Sequence, residues 1–192
     1  EEQGEVAIRV ARSGQVSFFN ARDGKAVLQQ QLPIPAGAQV TSFNVETPNS
    51  RRFVVGLSNG QVLIAQHDYK VTYPDDVRLI TPSLNFPYGQ EAITLDEQGR
   101  ALDQVAMSSD SNGLTLAGSI GSDLVATSVS IKRNMMTGAE TRSESRLALD
   151  PAQGEVTRIL IDPLRQWMYV VNGEQHIDVL ALRKKGELNG RY

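Results

Sequence analysis

RRFVVGLSNGQVLIAQH, from Arg51 to His67, reads as two apolar strands reversed by a tight polar turn, and three other stretches repeat its form. They are VAIRVARSGQVSFFN (Val6 to Asn20), LTLAGSIGSDLVATSVSI (Leu114 to Ile131) and WMYVVNGEQHIDVLAL (Trp167 to Leu182). Asn-Gly at Asn59-Gly60 and again at Asn172-Gly173 supplies residues that tolerate positive φ where a two-strand reversal needs them. The turn glycines Gly14, Gly60, Gly121 and Gly173 lie about 46, 61 and 52 residues apart. That spacing is at or somewhat above the period of one four-stranded propeller blade.

A further strand precedes each of the last three hairpins, in VTSFNVETPNS (Val40 to Ser50), LDQVAMSSDSNG (Leu102 to Gly113) and VTRILIDPLRQ (Val156 to Gln166). Phe43 and Val45, Val105 and Met107, and Ile159 and Ile161 recur with period two before a polar turn. The first three hairpins run on into AVLQQQLPI (Ala26 to Ile34), DVRLITPSL (Asp76 to Leu84) and ETRSESRLAL (Glu140 to Leu149), which supply outer strands. In the last of these, Arg142, Glu144 and Arg146 alternate with Thr141, Ser143 and Ser145, a pattern with little to bury. Pro and Gly interrupt most windows, and no segment keeps a helical period over three turns. The expected fold is therefore all-β and propeller-like, with about three to four antiparallel blades, the first lacking its innermost strand. Closed propellers typically have four to eight blades, so this one is either incomplete, with the missing blades elsewhere in the parent chain or in a partner copy, or closed by its N-terminal strands. The longer connection Phe86 to Leu102 has room for an additional hairpin, Ala92 to Leu95 turning through Asp96 to Gly99.

At 192 residues the chain is long enough to hold a core without staples, and 40% hydrophobic and 21% charged residues are those of an ordinary globular protein. A formal charge of −3, with Lys and Arg scattered, offers no basic stripe for a phosphate backbone, so no nucleic-acid partner is expected. The absence of cysteine removes thiol nucleophiles, zinc–thiolate sites and disulfides together. No stretch approaches 18 consecutive apolar residues. A start at EEQGEVAIRV, without an initiator Met, reads as a segment of something longer: residues 1–192 are expected to form a single domain of a larger parent.

Candidate motifs dissolve in this context. Gly56-Leu57-Ser58-Asn59-Gly60 matches the G-x-S-x-G nucleophile elbow, but that motif needs a helix after the serine, and Gln61 to Ala65 read as a strand. Asp110-Ser111-Asn112-Gly113 opens like a calcium loop, yet Gly121 stands where the closing Glu belongs. His67 and His176 lack a clustered carboxylate or cysteine set. Trp167 is expected to pack in the core or between blades. Asp75-Asp76 and Asp96-Glu97 sit in turns, where solvated acids are ordinary. No catalytic, cofactor-binding or metal-ligating residue is assigned, and no cofactor is expected.

The stretch from Asn59 to Gly138 adds a likeness. NGQVLIAQ, NFPYGQEAITLDEQGRALDQVAMSSDSNGLTLAGS and KRNMMTGAETR resemble the extra soluble domain of long-form permease subunits of bacterial phosphate ABC transporters, the PstC type. In those permeases a WD-repeat-like domain is inserted after the first membrane helix. The resemblance extends from about Val6 to Leu182, through diffuse strand and turn patterns. It implies a place on the periplasmic side of the bacterial inner membrane, with translocation carried out by absent parts of the parent. The partners implied are the partner permease, the phosphate-binding protein or another copy of the chain.

The function expected is a non-catalytic regulatory or docking module in phosphate uptake. Two alternatives stand beside it: a free-standing envelope propeller that mediates interaction or assembly, and a propeller-type hydrolase. The hydrolase would need acids or histidines converging at the channel mouth.

Overall fold

A computed structural model describes residues 6–173, 176–182 and 187–192 of the chain. Four antiparallel sheets follow one another as blades. The first blade is β1 (Val6–Val10), β2 (Gln15–Asn20) and β3 (Ala26–Gln31). The second is β4 (Val40–Val45), β5 (Arg52–Leu57), β6 (Gln61–Thr72) and β7 (Leu79–Asn85), with the short β8 (Ile93–Thr94) added to β6. The third is β9 (Gln104–Asp110), β10 (Gly113–Ile120), β11 (Asp123–Arg133) and β12 (Glu140–Leu147). The fourth is β13 (Val156–Ile161), β14 (Trp167–Asn172), β15 (Ile177–Ala181) and β16 (Glu187–Arg191). No α-helix occurs among the described residues, and a 3₁₀ turn sits at Pro74–Asp76. The fold is all-β and partial propeller-like, and among the described residues the first blade has three strands, without an innermost one.

Three apolar layers join the four blades. Val16, Phe18, Phe53, Val55 and Leu63 fill the first; Val54, Val62, Val105, Met107 and Leu116 the second; Ala117, Ala126, Ile159, Met168 and Leu180 the third. Side chains alternate across a strand, so Phe53 and Val55 face the first blade while Val54 faces the third. This is why β5 and β10 are buried almost throughout and read as continuous apolar runs, whereas β12, with one neighbour and no covering layer, is exposed along nearly its whole length. No apolar layer joins the fourth blade back to the first among the described residues.

Trp167 does not pack between blades. It shares a face with Tyr169 and Val171, turned away from the third blade, and Met168, fully buried, takes the interior position instead. Period two puts neighbours on opposite faces, and only one face of β14 has a blade against it.

The turns largely follow the repeat. Gly14, Gly60 and Gly121 adopt φ of +82°, +76° and +59°. Gly173 does not. At that reversal Asn172 accepts a hydrogen bond from the His176 amide on its Oδ1 at 3.0 Å, and residues 174 and 175 lie outside the described residues.

The connection from Phe86 to Leu102 forms a strap rather than a hairpin. β8 pairs with β6, and the backbone amides of Leu95 and Asp96 both donate to the Gly60 carbonyl at 2.9 Å. Leu102, fully buried, offers its carbonyl to the Thr41 and Ser42 hydroxyls at 2.8 and 2.9 Å. A β-carbon on Gly60 would stand 2.6 Å from the Asp96 carbonyl oxygen, so this glycine meets both a left-handed backbone and a close approach.

The fourth blade has an outer strand with no periodic signal. β16, ELNGR, is held by Arg191, which donates Nε at 2.5 Å and Nη2 at 3.0 Å to the buried Asp178 carboxylate.

Gly60→Ala is expected to lower stability by at least about 1–2 kcal/mol, the ordinary cost of a left-handed L-residue. Met168→Ala is expected to cost about 2–5 kcal/mol through the cavity it leaves. Both are read from the midpoint of urea unfolding at unchanged slope.

Candidate functional site

In a propeller-like arrangement the inner strands converge, and their ends form the place where distant side chains can meet. Here β4, β9 and β13 end together at one mouth. A hollow of about 280 Å³ there is lined by Glu46, Ser50, Arg52, Ser108, Ser109 and Pro163, among others.

Glu46, just past β4, is almost completely buried. Its Oε2 accepts from the Ser50 hydroxyl at 2.9 Å and from Arg52 Nε at 2.9 Å, and its Oε1 accepts from the Ser109 hydroxyl of the third blade. Arg52 also donates to the Tyr88 hydroxyl at 3.3 Å, tying the mouth to the strap. A buried carboxylate is stable only with such donors around it.

Beside it, Arg165 on the β13–β14 turn closes a two-pronged contact on Asp110 at the end of β9. Nε meets one carboxylate oxygen at 3.0 Å and Nη2 the other at 2.9 Å. Arg165 has φ of +54°, a conformation costly for an L-residue, in a turn closed by its amide on the Asp162 carbonyl at 2.9 Å. Burial pushes the Asp110 carboxyl up, but the Asn112 amide, the Arg165 guanidinium and the Gly113 amide outweigh it and hold the group below the usual carboxylate range.

The sequence candidates are dispersed. Ser58 lies on the β5–β6 turn, its Oγ accepting from the Gln39 amide at 3.0 Å, and a strand follows it rather than a helix. Asp110 spends its oxygens on Arg165 and the Asn112 amide instead of opening a calcium loop. His67 sits on β6 opposite Leu84 and His176 just before β15, on the second and fourth blades with the third between them. Among the described residues no three His, Cys, Asp or Glu side chains group as a metal site.

Asp75 and Asp76 are exposed, but Asp96 is not the solvated acid its turn implied. It is 5% exposed and grips Arg100 through Nε and Nη2, each at 3.2 Å, and through the backbone amide at 2.9 Å. Those bonds to Arg100 outweigh burial and lower its pKa. Arg100 continues to Asp123 at 2.7 Å, so the strap is bolted to the third blade.

Glu46, Arg165 and Arg100 carry no local signal. Ser109 and Glu46 are 63 residues apart, and Arg165 and Asp110 are 55 apart. Residues of the right type in turns are common, and only the stacking of blades selects which of them meet.

Asp96 and Asp110 stay ionised in the folded chain at pH values where the unfolded chain takes up protons. The stability they contribute is complete above about pH 4 and is lost as pH falls below it, through their lowered folded values. Thermal unfolding followed from pH 7 to 2 is expected to show the midpoint dropping below pH 4, with a shallower drop in Asp96→Asn. No family model and no curated protein matches the chain.

Proposed function

We propose that the chain is a non-catalytic docking or regulatory domain of a bacterial phosphate ABC transporter permease, held on the periplasmic side of the inner membrane. The observation that carries the docking role is the open arc. Phe43 and Val45 on β4 of the second blade, and Leu160 and Ile177 on the fourth blade, are apolar and substantially exposed. Meanwhile the carboxylates at the axial mouth are engaged within the chain, Glu46 by Ser50, Ser109 and Arg52, and Asp110 by Arg165. A surface of this kind favours burial against another protein over turnover of a small molecule.

The transporter assignment rests on the likeness of Asn59 to Gly138 to the extra domain of PstC-type permeases. Phosphate translocation in this reading belongs to other parts of the parent protein. The domain contributes contacts with the partner permease or the phosphate-binding protein.

A photo-crosslinking residue at Tyr169, on the outward face of β14, tests this in membranes of cells expressing the full-length parent. Crosslinks to phosphate-transporter subunits are expected. Their absence, or crosslinks to envelope assembly factors alone, overturns the transporter assignment.

A further inference from the structure

In the second, third and fourth blades an innermost strand pairs antiparallel with the strand that follows it, β4 with β5, β9 with β10 and β13 with β14. These inner strands also lie side by side. Asn44 on β4 reaches the Val105 carbonyl on β9 at 3.0 Å and the Ile159 carbonyl on β13 at 3.4 Å. Among the described residues the first blade ends at β1, which pairs there with β2 alone.

The apolar side chains of the inner strands record the difference. Val105 and Met107, turned toward the second blade, are each 2% exposed, and Ile159 and Ile161, turned toward the third, are 1% and 7% exposed. Their counterparts on β4, Phe43 and Val45, are 47% and 42% exposed. Both lie on the face of Phe53 and Val55, which pack against the first blade, and the Phe43 and Phe53 rings touch with centroids 5.3 Å apart. Among the described residues no strand lies opposite them.

The edge of β1 is in register to receive one. The Ala11 amide donates to the Gln15 carbonyl and the Gly14 amide to the Ala11 carbonyl, each at 2.9 Å, which places Ala11 in a bonded pair with β2. By the antiparallel alternation Arg9 and Ala7 are bonded likewise, and Val10, Ile8 and Val6 turn their N–H and C=O groups to the open edge. The side chains of Val6, Ile8 and Val10 already pack in the layer shared with the second blade. Arg9 projects from the opposite face of β1, exposed and without an acidic partner among the described residues.

We propose that this edge binds, in trans, an extended segment of another polypeptide whose apolar residues alternate with acidic ones. Its main chain pairs with Val6, Ile8 and Val10, its apolar side chains cover Phe43 and Val45, and a carboxylate stands beside Arg9. The groove is argued from strand pairing alone and stands or falls apart from the transporter assignment.

Fluorescein-labelled peptides VEFEVE and VKFKVK, titrated against the chain by anisotropy, test it. The acidic peptide is expected to bind more tightly by roughly fivefold, and Arg9→Glu to reverse that order. Phe43→Ser is expected to weaken the acidic peptide roughly tenfold, with Val45→Thr as the milder second variant should the first unfold. Hydrogen exchange of the Ile8 and Val10 amides is expected to slow on binding. The proposal is overturned by no saturable binding, by binding indifferent to Phe43→Ser and Val45→Thr, or by a reversible dimer that itself covers the β1 edge.

Discussion

Burial of both faces of the middle strands is the constraint on which the structure depends. A single antiparallel blade has two faces, and β5 or β10 carries apolar side chains on both, so neither is stable until a neighbour lies on each side. Stacking meets this demand for β5 and β10 and leaves it unmet where no strand or blade lies opposite among the described residues, as beside Phe43 and Val45 on β4 and on the outer face of β14. The exposed Phe43 and Val45, and the uncovered face bearing Trp167 and Tyr169, follow from the same rule that buries Met107 and Met168.

Polar contacts decide how the blades are set against one another, because an apolar layer alone is poorly directional. Asn44 spans three inner strands, Ser109 reaches from the third blade to Glu46 on the second, and Arg165 joins the fourth to the third. The strap from Phe86 to Leu102 does the same at the other side, with Asp96, Arg100 and Asp123 in series. Those on Asn44, Glu46 and Asp96 are buried or partly buried, so removing one partner leaves another without its hydrogen bonds.

Much of the fold was legible because strand periodicity and turn chemistry are local. The hairpins around Gly14, Gly60 and Gly121, the inner strands with Phe43, Val105 and Ile159, and the wet outer strand with Arg142 and Glu144 could be read from a few residues each. The strap does not form the hairpin its residues suggest, because Ile93 and Thr94 pair with Val62 and Gln61, a choice set by position rather than by the segment's own residues. β16 is not legible locally, because ELNGR has neither alternation nor strong strand propensity and is held by Arg191 on Asp178. The mouth was illegible for the same reason: its partners are separated by more than fifty residues.

By itself the sequence determined the all-β class and the blade repeat, since each is written in patterns a few residues long. Only the tertiary structure decided which face of each strand is covered. Period two makes Trp167 and Met168 equivalent candidates for the interior, as it does Phe43 and Val105. Which of them is buried depends on whether another blade lies opposite, and that is a property of the stack, not of the strand.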